Sequence, residues 1–172
     1  MNRPAFTFAN LACFLTDAIG GFALFVGNGG SVADSSDLDN AIIAKLGADA
    51  TLLAICTNGV YWGESPSNST RFVIVSLAEE EDVQMFGGRA FESALYLVKA
   101  VMSWKEGEVA GNIKGAAARI DALLDQQPLT VSGYSVTIVR REGRERQTEV
   151  DAVDGSLRWF HRGGLYRVVA SS

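Results

Sequence analysis

The sequence predicts an α+β fold: an antiparallel β-sheet with one long helix packed on a face and short N-terminal helices. Three observations carry this expectation. Residues Ala90–Met102 alternate with apolar side chains on both sides, Phe91, Leu95, Leu97 and Val101 on one and Ala94, Tyr96, Val98, Ala100 and Met102 on the other. A strand apolar on both sides belongs inside a sheet rather than at its edge. Directly after it, Val109, Ile113, Ala116, Ile120, Leu123 and Leu124 fall in one helical stripe, the side that lies on the sheet. Beyond Pro128 the chain reads as β segments punctuated by Glu142-Gly143 and Asp154-Gly155.

Taken in order, residues 1–36 form an N-terminal extension and 37–172 the α+β domain. The extension carries Phe6, Phe8, Phe14, Phe22 and Phe25, which need burial against the main body or another chain. Gly27-Asn-Gly-Gly30 lacks the Lys-Ser/Thr that completes a phosphate loop, so it reads as a flexible turn. Asp34–Asn40 is rich in side-chain oxygens, but a calcium loop needs Gly and Glu where Asp39 and Lys45 stand; helix capping is the better reading. A short helix then spans Leu38–Leu46 and ends at Gly47, and Asp49 caps a second, Ala50–Ile55, finished by Asn58-Gly59.

Val60–Trp62 is a brief extended piece before the turn-rich Gly63–Thr70. Arg71–Leu77, continuously apolar and β-branched in its middle, is a strand. The acidic run Glu79–Asp82 reads as a solvated loop in preference to a metal site, and Gly87-Gly88 leads into the central strand. Ser103-Trp-Lys-Glu106 has the capping-box form, which predicts the long helix over Trp104–Gln126, stopped by Pro128. Thr130–Arg141 and Arg144–Ala152 then pair across a tight turn at Glu142-Gly143. Leu157–His161 and Leu165–Ala170 close the chain as one strand or two, interrupted at Gly163-Gly164.

With 172 residues and 48% hydrophobic composition, the chain can bury a substantial core without staples. Cys13 and Cys56 stand far apart in apolar surroundings and read as free buried thiols, which suits a reducing compartment. A net charge of −5 argues against a protein whose main task is gripping nucleic acid. It permits an acidic wall past which DNA slides. No apolar run is long enough to span a membrane. A signal peptide is disfavoured, because the apolar stretch Ala5–Val26 contains Asn10 and Asp17 and lacks a clean cleavage site.

The single histidine, His161, has no nucleophile or metal motif beside it and reads as a structural group. On the expected helix, Gly107, Gly111, Ala118 and Ala122 share a face opposite the core stripe. Glycine in a helix costs about 1 kcal/mol against alanine, so such a face suits close packing against the extension or a neighbouring subunit. Arg140, Arg141, Arg144 and Arg146, interleaved with Glu142 and Glu145, read as a charged hairpin tip, either an exposed ladder of ion pairs or an interface where Arg–carboxylate forks fix the angle between subunits. No cofactor or metal is implied.

The order of short motifs then resembles a known family. Gly59-Val-Tyr-Trp62, Arg71-Phe-Val-Ile-Val-Ser76, Phe86-Gly-Gly-Arg-Ala90 with Tyr96–Val101, Ile120-Asp-Ala-Leu-Leu124, Gly133-Tyr134, Arg140-Arg-Glu142 and His161-Arg-Gly-Gly-Leu-Tyr-Arg167 resemble the tail-completion and tail-terminator proteins of long-tailed bacteriophages. The resemblance covers residues 38 to the end, and none of its motifs is catalytic; the N-terminal segment is longer than the family pattern. It implies a structural virion protein, made in the host cytoplasm, that forms a homo-oligomeric ring, commonly hexameric, at the head-proximal end of the tail. There it would end growth of the tail-tube protein, meet the head-tail connector protein and let DNA pass through its lumen, with no membrane involved. A second reading is a small-ligand-binding α+β module using Trp62, Trp104 or Trp159. The third is a hydrolase using His161 with Asp151 or Asp154.

Overall fold

The computed structural model describes residues 35–85, 88–105 and 111–171. Along these the elements run α1 (Ser35–Gly47), α2 (Ala50–Ile55), β1 (Val60–Trp62), β2 (Arg71–Met85), β3 (Gly88–Lys105), α3 (Ile113–Leu124), β4 (Val136–Val150) and β5 (Leu157–Ser171). The fold is α+β, as expected. Its five strands lie in the order β1-β2-β3-β5-β4, antiparallel throughout except that β1 runs parallel to β2. The central position of β3 follows from its two-sided apolar pattern. The extension, apart from Ser35 and Ser36 at the start of α1, lies outside the described residues.

The helices cover one sheet face. Leu38, Ile42 and Leu46 of α1, Leu52 of α2 and Ala116, Ile120 and Leu124 of α3 repeat at helical spacing. They are buried against Val73, Val75, Ala94, Tyr96, Val98, Ala100, Met102, Val139, Tyr166, Val168 and Ala170 of the sheet. Helices α2 and α3 are each fixed by a cap: the Leu52 N–H donates to Asp49 Oδ1 at 2.7 Å, and the Gly115 N–H to Asn112 Oδ1 at 2.9 Å. Asn58 ties down the return from β1 to β2 by accepting from the Thr70 and Arg71 N–H groups at 3.0 and 2.9 Å. The opposite sheet face is half-open, with Leu95, Leu97 and Leu165 only partly buried.

Four expectations are corrected. The helix expected over Trp104–Gln126 is shorter, because Ser103-Trp104-Lys105 continues β3, pairing with Leu157–Trp159 of β5. A ladder partner thus overrides the local capping-box pattern. The expected acidic loop Glu79–Asp82 lies within β2, paired with Ser93–Leu95 and Glu92 of β3. Glu142-Gly143 is no turn: β4 runs unbroken from Val136 to Val150, with a register shift between Arg141 and Gly143 that leaves Glu142 as a bulge. Gly163-Gly164 likewise lies inside a continuous β5. At Gly163 a Cβ would stand 2.0 Å from the Val98 carbonyl oxygen, so the glycine is what lets β3 and β5 approach there.

Candidate functional site: a cationic groove beside β4

The bulge at Glu142 decides which arginines share a face. In β4, Arg141 stands opposite Tyr166, Arg144 opposite Gly164 and Arg146 opposite Arg162. Tyr166 belongs to the helix-bearing side, and side chains alternate along β5, so all three arginines lie on that side. Without the extra residue, Arg144 and Arg146 would fall on the face away from Arg141. Arg140, opposite Arg167, remains on the open face. The four arginines singled out in the sequence are therefore divided three to one rather than gathered at a hairpin tip.

Arg141 is spent on the fold. Its guanidinium pairs with Asp121 of α3, and its backbone N–H donates to Asp125 Oδ1 at 2.9 Å. Asp121 also accepts from the hydroxyl of Tyr166, which is fully buried. Burial and this carboxylate together push the Tyr166 hydroxyl well above the ordinary tyrosine range, so it stays a donor.

Arg144 and Arg146 remain available. With Lys114 and Arg162 they line a groove of about 430 Å3 between α3 and the β4–β5 ladder, floored by Ala117, Ala118 and Gly163 and edged by Asp121 and Glu145. Among the described residues none of these four cations makes an ion pair. Arg146 and Arg162 face each other directly across the strands. Like charges in that position disfavour the pairing. The groove therefore concentrates positive charge on a chain whose net charge is −5, and its chemistry suits a carboxylate or another oxyanion.

On the open face a second arginine is fully satisfied. Arg167 bridges Glu142 Oε1 at 2.6 Å, Ser93 Oγ at 3.0 Å and Glu79 Oε2 at 3.2 Å, spanning four strands. Both carboxylates reach it through bulges, the second being a register shift between Leu77 and Glu79.

The small-residue face is not assembled as expected. Gly111 precedes the Asn112 cap and is not helical, and a Cβ there would meet Met102 Sδ at 2.8 Å. Gly107 lies outside the described residues. Of that expected face, Ala118 and Ala122 sit exposed on α3, with Ala118 in the groove. His161 is 9% exposed on β5, its ring nitrogens without hydrogen bonds among the described residues, and burial foremost lowers its basicity. The carboxylate beside it is Glu149, at 3.6 Å. Asp151 and Asp154 instead hold the β4–β5 turn, Asp151 accepting from the Val153 and Asp154 N–H groups and Trp159 Nε1, and Asp154 from Ser156 and Lys105. Trp62, Trp104 and Trp159 pack on Tyr96, Phe160 and Phe72 respectively, and none lines the groove. Arg162 and Lys114 were missed by sequence reading, since only the β5 register and the α3 start bring them beside Arg146.

No family model matches the sequence, and no curated protein matches it. Among solved structures, the chain is similar to one from the virion of a native gene transfer agent particle. It is 21% identical to that chain, with a TM-score of 0.54 over 83% of this chain and 100% of that one. A second solved chain, 13% identical over 81% of this chain and 96% of its own, aligns with a TM-score of 0.49, too low to bear on the fold. The first likeness speaks to the fold.

Proposed function

We propose that this chain is a structural virion protein of a phage-like particle, forming a homo-oligomeric ring at the head-proximal end of the tail. In that place it ends polymerisation of the tail-tube protein and offers a surface to the head-tail connector. The observation that carries the reading is the fold likeness, which takes in the whole of a chain from a gene transfer agent virion. The motif order that resembles tail-terminator proteins points the same way. The geometry supports it as well: the titratable groups that a hydrolase would need, Asp151, Asp154 and His161, serve a turn and a sheet face. The sheet ends in strand edges suited to other copies. A net negative charge also suits a conduit that lets DNA pass without holding it.

Light scattering and negative-stain electron microscopy of the purified full chain test the reading. The expected result is a closed ring of uniform size, and tails of uncontrolled length when particles assemble without the protein. A monomer at all concentrations, with no ring in micrographs, overturns it.

A further inference from the structure

Exposed charges of opposite sign stand towards opposite edges of the sheet. At one edge β4 bears the groove cations Arg144 and Arg146. At the other, β1 covers β2 only at Val73–Val75, so beyond Val75 the outer edge of β2 has no strand partner among the described residues. That free length contains Glu80 and Glu81, both exposed and neither ion-paired within the described chain. Glu80 stands opposite Ala94, on the helix-bearing face that also holds the groove, whereas Glu81 stands opposite Ser93, on the open face with Arg140. Each face thus offers an acid at one edge and an unpaired arginine at the other.

Symmetry decides how such edges can meet. A two-fold contact would set arginine against arginine or glutamate against glutamate. A head-to-tail contact sets each against its opposite, and rotation closes it into a ring. The strand directions allow it: β2 runs antiparallel to β3, β3 to β5 and β5 to β4, so β4 of one copy is antiparallel to β2 of a copy placed beside it in the same orientation. Resting on the ring reading above, we propose that the groove of Lys114, Arg144, Arg146 and Arg162 receives Glu80 from the free β2 edge of the next copy. The occupant's carboxylate supplies the countercharge that the Arg146/Arg162 pair lacks among the described residues.

A charge-swap experiment on the full chain tests this. Arg144→Glu/Arg146→Glu forms the groove variant and Glu80→Arg the edge variant; all three positions are exposed, and circular dichroism checks that each variant folds. Sedimentation velocity is expected to show self-association weakened about tenfold or more for each alone, the scale of lost close charge pairs. An equal mixture is expected to recover assembly, because its altered surfaces match each other and its native surfaces do the same. Variants that assemble like the wild type overturn the groove assignment and leave the ring standing, as does a mixture that fails to recover. Retention of a short DNA duplex, lost in the groove variant while self-association is unchanged, gives the groove to phosphates and also overturns it. A wild-type chain that never assembles overturns the ring reading itself, and this contact with it.

Discussion

Asp121 decides where α3 sits. One carboxylate serves the hydroxyl of Tyr166, with no exposed surface, and the guanidinium of Arg141, and so joins the helix to β5 and β4 together. A buried hydroxyl left without its acceptor costs about 1–3 kcal/mol, whereas removing both partners is far cheaper. Asp121→Ala is therefore expected to lower the unfolding free energy by about 2 kcal/mol or more, and Tyr166→Phe by about 1 kcal/mol. The double variant should lose clearly less than the sum, because the phenylalanine leaves no orphaned donor. Urea unfolding measures all three, and strict additivity would show that the contact is not shared. No reading of the sequence alone reveals such a hub: the motif Ile120-Asp-Ala-Leu-Leu124 gives Asp121 no partner, and its partners stand 20 and 45 residues away.

Bulges and glycines set the relations between elements. The extra residue at Glu142 turns Arg144 and Arg146 towards α3, and the close approach at Gly163 lets β3 and β5 stay paired along their length. A Cβ at Gly163 would lie 2.0 Å from a backbone oxygen and 2.6 Å from Lys99 Cα, and neither atom can swing aside as a side-chain tip would. Gly163→Ala is thus expected to destabilise by about 3 kcal/mol, the upper end of the usual cost of overpacking that forces backbone shifts. Gly155→Ala, in open space at the β4–β5 turn, is expected to cost well under that and serves as the control in thermal melts. Equal melting points for the two variants would refute the close approach. The same physics explains what the sequence could and could not tell. The two-sided pattern of Ala90–Met102 made β3 legible, and the spacing of Ile113, Ala116 and Ile120 did so for α3. Glu142-Gly143 and Gly163-Gly164 look like turn signals because their local chemistry is that of turns. Long partner strands held them in the ladder instead, and only pairing across the sheet could have shown it.

Across the whole molecule, carboxylates tie separate parts of the fold to their neighbours, and acid should undo those ties in a defined window. Asp49 both caps α2 and forks onto Arg119 of α3, and these bonds, the arginine's first, hold its carboxyl down at about 2. Asp154, in the β4–β5 turn, is held at about 2 by Ser156 and Lys105. In the unfolded chain both titrate near the ordinary value of 3.8. The unfolded state therefore binds protons first as pH falls, so the stability these groups contribute is complete above about pH 4 and drains away towards pH 2. Asp49→Asn keeps an oxygen for the Leu52 N–H but cannot pair with Arg119 as a charge. It is expected to be less stable than the wild type at neutral pH and to converge with it as pH approaches 2, and Asp154→Asn should behave likewise. His161, whose basicity burial lowers, also lowers stability as pH falls through the ordinary histidine range, but it is common to every variant and cancels in the differences. Because the two aspartates share no partner, their contributions should add in the double variant. Urea titrations from pH 7 to pH 2 read this directly, and a gap between wild type and Asp49→Asn that stays constant across that range would mean the Arg119 fork contributes nothing through its charge.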